Sequence, residues 1–209
     1  MQGRTRKSFC SLLLAGVSLY GIAAGGNVQS NKAQQVTLSG VSFTVPQRYV
    51  KVTGEPSANF VFLYDKKYKD GMVVTVPTVP FVEQDVRDSL LKASVRTFFP
   101  KETQPYVWKS ETPLQKVSKF EVGDFLGKGF NQSNLLVFEC RHITFEQRDV
   151  FVATIFEARK GKRAKEMFDG EGTAMSMTTC GASTEIIYSF TGEKIDPDKP
   201  PCELIANVP

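Results

Sequence analysis

The stretch that decides the fold is Asn134–Phe145, NLLVFECRHITF, a long and largely apolar run between two sets of turn residues. Residues two apart in a strand share a face, so one face carries Leu136, Phe138, Cys140 and His142, and the other carries Val137, Glu139, Arg141 and Ile143. Because the first face begins with Leu and Phe, we expect Cys140 to be buried and His142 to lie partly exposed, towards the wetter end. The pattern predicts a β-strand that presents alternate side chains to its two faces.

Similar runs flank this strand on both sides. Residues 120–130 (FEVGDFLGKGF) precede it and residues 149–158 (DVFVATIFEA) follow it, and strand signals begin near Tyr106. The connections, residues 131–133 and 146–148, are only three residues long. Short connections between long strands predict an antiparallel meander.

The first half of the chain predicts a hairpin and then a helix. The apolar runs 58–64 and 72–79 flank a charged segment that ends in Asp70-Gly71, a strong turn signal. Residues 82–98 then change to helical spacing, with an apolar stripe made of Val82, Val86, Leu90, Leu91, Ala93, Val95, Thr97 and Phe98. Charged residues fill the opposite face, so we expect this helix to pack one side on the sheet.

The ends of the domain complete the prediction. Residues 36–45 alternate at strand spacing before Pro46, residues 173–180 suggest one more strand, and residues 183–190 suggest a short second helix. The composition, 41% hydrophobic and 23% charged, is typical of a globular protein. The sequence therefore predicts an α+β single domain over residues 36–190, with a central antiparallel β-sheet flanked by two α-helices.

This order of elements resembles the PsbP-like superfamily. The features that carry the resemblance are a first strand ending in Phe43-Thr44-Val45-Pro46, a hairpin, a helix, a long meander and a terminal helix that closes on Ser189-Phe190. The superfamily includes extrinsic photosystem proteins of the lumen, exported bacterial relatives of the DcrB type and a nuclear-import factor. The resemblance implies a binding or assembly module without shared catalytic residues.

The N-terminus is typical of a secretory signal peptide. Residues 1–24 contain Arg4, Arg6 and Lys7 before an apolar run and small residues, and an uncleaved anchor is the alternative. Cleavage would lower the formal net charge from +4 to +1, which excludes the broad positive field that nucleic-acid binding needs. Residues 25–35 would then be a flexible lead-in. We expect a soluble periplasmic or secreted protein with no transmembrane segment after signal cleavage.

Three cysteines would remain after export: Cys140, Cys180 and Cys202. Disulfides persist outside the cytosol, so one bridge and one thiol is the simplest expectation. We favour a Cys180–Cys202 disulfide, because the proline-rich tail, residues 191–209, otherwise lacks an anchor. Cys140–Cys202 is the alternative pairing.

The sequence contains no catalytic motif. His142 is the only histidine, and a Cys140/His142 pair supplies too few ligands for zinc. Glycines at 123, 127 and 129 match no nucleotide-binding fingerprint and indicate a bulge or a close backbone approach. We therefore expect no cofactor, no metal and no enzymatic activity.

The sharpest charge feature is a basic cluster made of Arg159, Lys160, Lys162, Arg163 and Lys165. It is either a solvated turn or a contact for an acidic protein, lipid headgroups or another envelope component. The leading hypothesis is an exported binding or assembly module of the cell envelope. The alternatives are an envelope hydrolase that uses His142 and a structural subunit held in an envelope complex by its tail.

Overall fold

The computed structural model describes residues 34–52, 57–99, 106–131, 134–160 and 177–193. In these ranges the chain forms nine strands and two helices. They are β1 (Gln34–Leu38), β2 (Val41–Val45), β3 (Val50–Lys51), β4 (Phe60–Asp65), β5 (Asp70–Thr75), α1 (Glu83–Phe98), β6 (Val107–Val117), β7 (Phe120–Asn131), β8 (Asn134–Phe145), β9 (Arg148–Lys160) and α2 (Met177–Thr191).

Seven strands form one sheet in the order β3-β4-β5-β9-β8-β7-β6, and every neighbouring pair is antiparallel. Strands β1 and β2 form a separate hairpin. Helix α1 packs on one face of the large sheet, and α2 packs with the β1–β2 hairpin on the other. The α+β class, the antiparallel sheet and the two flanking helices are confirmed.

Strand β8 pairs with β7 on one side and with β9 on the other, as the meander predicts. Its two faces enter two different cores. Phe138 and Cys140 pack under α1 with Leu90, whereas Ile143 packs with Ile186 of α2. The alternation in the sequence therefore assigned the faces of β8 correctly, and Cys140 is fully buried as expected.

The turn of the β4–β5 hairpin consists of residues 66–69. It therefore lies before the Asp70-Gly71 pair that the sequence suggests as the turn, and Asp70 already belongs to β5. Asp65 explains the shift. Its Oδ1 accepts hydrogen bonds from the backbone N–H groups of Lys67 (2.8 Å) and Tyr68 (3.2 Å). This local carboxylate–backbone pairing stabilises a turn directly after Asp65, and Lys69 takes the left-handed conformation, with φ 57°.

Helix α2 is longer than predicted. Residues 177–180 were assigned to a strand, and this prediction is wrong, because they form the first turn of a helix that runs from Met177 to Thr191. Tertiary packing outweighs the weak local preference for a strand here. Ala182, Ile186 and Ile187 of the helix are buried against the sheet and the β1–β2 hairpin. Residues 173–176 lie outside the described ranges.

Glycines in β7 allow aromatic rings to lie flat on the sheet under α1. A Cβ added to Gly129 would overlap the ring of Tyr106, and one added to Gly127 would lie 3.4 Å from the Trp108 ring. The prediction was a bulge or a close backbone approach at Gly123, Gly127 and Gly129. At Gly127 and Gly129 the nearest groups are instead side-chain rings, whereas at Gly123 the Phe125 ring and the backbone oxygen of Thr112 both lie 3.2 Å from an added Cβ.

None of the helices within the described ranges has both the length and the apolar character needed to cross a membrane.

Candidate functional site

His142 lies between two carboxylates. Its Nδ1 is 2.8 Å from Glu83 Oε1, in the first turn of α1, and its Nε2 is 2.9 Å from Asp149 Oδ1, near the start of β9. Thr144 donates a second hydrogen bond to the same Asp149 oxygen at 2.8 Å. Each ring nitrogen of His142 therefore has a carboxylate partner within hydrogen-bond distance. We call Glu83, His142 and Asp149 the histidine clasp.

Aromatic rings enclose the clasp. The imidazole stacks on Phe151 at a centroid distance of 4.2 Å and an interplanar angle of 6°, and Phe81 meets it edge-on at 5.9 Å. His142 is only 4% exposed. The prediction of a partly exposed histidine is therefore wrong, because Glu83 at the start of α1 and Phe81 before it contact the ring.

The arrangement of the clasp is closed, because each ring nitrogen of His142 has a carboxylate within hydrogen-bond distance. The two carboxylates bind opposite sides of the ring, so the three groups do not converge on one point. The part of the chain that the structure describes contains no group of three or more His, Cys, Asp or Glu side chains able to hold a metal ion.

Cys140 does not join the clasp. It is a free thiol, completely buried between β8 and α1, and burial raises the pKa of the thiol well above its ordinary value. Thiolate chemistry needs the opposite shift together with exposure. The predicted Cys140/His142 pair shares a face of β8, as expected, without forming a joint site.

The opposite face of β8 carries a buried ionic network. Arg141, 1% exposed, forms an ion pair with Glu139 at 2.9 Å and lies 3.9 Å from Asp124 on β7. Its Nη1 also donates hydrogen bonds to the hydroxyls of Ser183 (3.1 Å) and Thr184 (2.9 Å) on α2. These contacts fix α2 to the middle of the sheet.

This network contains two acids and one guanidinium. Burial, and after it the charge of Glu139, raise the pKa of Asp124 from its ordinary value to about 7, although Arg141 opposes both effects. A carboxyl group with this pKa is partly protonated near neutral pH, which relieves the repulsion between the two acids. The network therefore links β7, β8 and α2, and the charge of Asp124 within it depends on pH.

The β4–β5 hairpin presents exposed cations. Its turn consists of Lys66, Lys67, Tyr68 and Lys69, all of them exposed, and we call these four residues the lysine turn. The two acids that bracket the turn point inward instead: Asp65 is 1% exposed and Asp70 3%. The turn therefore displays positive charge without a matching surface carboxylate of its own.

The predicted basic cluster begins at the same end of the sheet. Gly71 pairs with Ile155, so the last residues of β9 extend past the start of β5, and Arg159 and Lys160 fall at the end where the lysine turn lies. Lys162, Arg163 and Lys165 are outside the described residues. We call this end of the sheet the cationic end.

The predicted disulfide is not visible in the described ranges. Cys180 belongs to the first turn of α2, but its side chain is not described, and Cys202 lies outside them. Cys140 is a free thiol among the described residues, and both predicted pairings involve Cys202, so they remain predictions.

Sequence reasoning missed two groups. Glu83 and Asp149 were not connected with His142, and the Arg141 network was not expected, because burial of both depends on contacts between distant segments. The lysine turn, in contrast, is visible as DKKYKDG, where three lysines stand between two acids that a hairpin can turn inward.

Comparison with known proteins adds distant structural likeness only. No family model and no curated protein matches the chain. Among solved structures, the Saccharomyces cerevisiae Ran-binding protein Mog1p matches with a TM-score of 0.45 and 12% identity over 77% of this chain and 93% of that one. A mutant of Mog1 gives 0.45 and 11% over 76% and 93%.

A third structure, the iron-regulated outer membrane lipoprotein FrpD of Neisseria meningitidis, gives a TM-score of 0.24 and 10% identity over 77% of this chain and 93% of that one. At these values the comparisons assign no function to the chain.

Proposed function

We propose that the chain is an exported binding or assembly module of the cell envelope, and that the cationic end of its sheet meets the partner. The observation that carries this proposal is the lysine turn, whose three lysines and one tyrosine are exposed while Asp65 and Asp70 lie buried beneath them. Charges arranged in this way attract and orient a negatively charged partner.

Export is supported by the N-terminal pattern of basic, apolar and small residues in 1–24. We also propose that the chain belongs with the PsbP-like superfamily. Support comes from the order of elements along the chain: a strand ending before Pro46, a hairpin, a helix, a meander and a terminal helix.

A hydrolase remains the alternative function, and the histidine clasp is its only candidate for a histidine base. Such an enzyme would have to break one of the two hydrogen bonds of His142 before the ring could accept a proton. A structural subunit held by its tail is the other alternative, and that tail lies outside the described residues.

Affinity capture from the native envelope fraction tests the proposal. The test variant reverses two charges of the lysine turn (Lys66→Glu with Lys67→Glu), and the control reverses two exposed charges at the opposite end of the sheet (Lys116→Glu with Lys119→Glu). We expect the first variant to lose a component that wild type and control retain. Identical captured components in all three proteins would contradict the proposal.

The basic cluster is tested in the same way. Reversing Lys162 and Arg163 to Glu should weaken capture if the cluster continues the binding surface, and should change nothing if it is a solvated turn.

A further inference from the structure

We propose that the lysine turn and the neighbouring strand β3 contact an anionic lipid surface, with Tyr68 at the level of the headgroups. This inference rests on the proposed function, because it names the class of surface that the cationic end meets. It is carried by three observations on the described residues: the placement of charges, the exposed apolar groups beside them and the strand pairing that holds the two together.

At the hairpin tip the positive side chains are exposed and the neighbouring acids are buried. Lys51 on β3 is exposed together with the three lysines of the turn. The buried acid Asp65 already has partners: it accepts two backbone hydrogen bonds within the turn and pairs with Arg48 at 3.2 Å. Burial raises the pKa of Glu185 on α2, and the charge of Arg48 lowers it, so this carboxyl group interacts with Arg48. The surface that points outward is therefore cationic.

Exposed side chains with apolar surface lie next to these lysines. Tyr68 is 45% exposed, Val50 on the adjacent edge strand is 46% exposed, and Val52 directly after that strand is 38% exposed. Lys67 Nζ lies 4.9 Å from the centroid of the Tyr68 ring. Tyrosine with lysine is the combination favoured where hydrocarbon meets headgroups, because the ring remains at the interface while the long lysine stems reach the phosphates.

Strand pairing keeps the two parts of the surface together. Val50 pairs with Tyr64 and Lys51 with Leu63, so β3 lies beside the last residues of β4, just before the turn. The tip is thus a four-residue turn with a two-residue edge strand next to it. Lysine carries a compact charge on a long, flexible stem, which suits the many phosphates of a headgroup surface.

The expected strength follows from the number of lysines. A lysine close to an anionic membrane surface strengthens binding by about fivefold, so four lysines correspond to an increase on the order of several hundredfold. Binding of this origin requires anionic lipid and weakens as salt is added.

Vesicle flotation tests the inference with the full chain. The vesicles contain phosphatidylcholine alone or phosphatidylcholine with phosphatidylglycerol. We expect binding only with the anionic lipid, at least tenfold weaker binding by the Lys66→Glu/Lys67→Glu variant, and binding within twofold of wild type by the Lys116→Glu/Lys119→Glu control. The leader is common to all three proteins, so its own lipid binding does not contribute to their difference.

A local measurement supports the assignment independently of total binding. Tryptophan at the tip (Tyr68→Trp) should be quenched by brominated lipids in anionic vesicles, whereas tryptophan on the β6 edge (Leu114→Trp, a site 37% exposed) should not. The native Trp108 is the common background in both variants.

Absence of binding to anionic vesicles, equal loss in both double variants, or no selective quenching at position 68 would overturn the inference. The proposed function can survive this result: if envelope capture still depends on the lysine turn, the partner is an acidic protein or polymer rather than lipid. If capture does not depend on it either, both proposals fail.

Discussion

Glu83 and His142 are joined by a hydrogen bond of 2.8 Å although 59 residues separate them in the chain. The bond fixes the first turn of α1 to β8, and Asp149 on the other ring nitrogen adds the start of β9. Three elements therefore meet at one buried imidazole, which explains why the only histidine of the chain is so deeply enclosed.

Replacement of His142 by Ala should lower the free energy of unfolding by about 2–4 kcal/mol, because it leaves a cavity beside Phe151 and two carboxylates without their donor. Glu83→Gln is the milder control, with an expected loss of about 1 kcal/mol, since Glu83 is one-third exposed. Urea unfolding measures both. A His142→Ala protein within about 0.5 kcal/mol of wild type would show that the clasp does not stabilise the fold.

Asp124 should make stability depend on pH. Its pKa is raised from 3.8 to about 7 in the folded state, mainly by burial. The folded protein therefore binds the proton more tightly than the unfolded chain. Stability from this group is fully present below about pH 4 and is lost as pH rises through about 7.

Asp124→Asn imitates the neutral carboxyl at every pH. We expect urea titrations between about pH 4 and 8 to show a difference in slope between wild type and this variant, amounting to roughly 2–4 kcal/mol over the range. Parallel curves for the two proteins would exclude a raised pKa at Asp124.

Gly129→Ala should destabilise the protein by about 1–3 kcal/mol, because the new methyl group overlaps the ring of Tyr106 and forces it to move. Gly127→Ala is the matched control on the same face of β7. Its methyl group would make an ordinary contact with Trp108 at 3.4 Å, so we expect a change within about 0.5 kcal/mol. Thermal unfolding measures the stability of both variants. Equal losses of stability would contradict this account of the β7 glycines.

Cys180 and Cys202 should form the disulfide of the exported protein, with Cys140 as the remaining thiol. The bridge should stabilise the fold by about 3 kcal/mol, and Cys140 should resist alkylation until the protein unfolds, because it is fully buried. Peptide mapping without reduction identifies the pairing. Rapid labelling of native Cys140, or three free thiols, would refute the prediction.

The strands and α1 were predictable because their signals are local. The alternation in Asn134–Phe145 assigned both faces of β8, and the helical stripe placed α1 within one residue of its observed start at Glu83. The errors arose where a distant contact decides. Residues 177–180 are helical because the rest of α2 packs on the sheet, and His142 is buried because α1 crosses that end of β8.

The candidate surface was predicted only in part. The basic cluster was recognised from its composition, whereas the lysine turn was recognised only as a hairpin connection. Whether a charged turn displays its cations depends on where the intervening acids point, and Asp65 and Asp70 point inward only because the hairpin closes at residues 66–69. Composition alone does not give that direction.

Site-specific photo-crosslinking tests most directly whether the cationic end is the surface that meets the partner. A photoreactive amino acid replaces Tyr68 in one protein and Lys119, at the opposite end of the sheet, in another, and both are irradiated in the cells that produce the chain. We predict adducts with an envelope component from position 68 and none from position 119. No adduct from position 68, or equal adducts from both, would contradict the account.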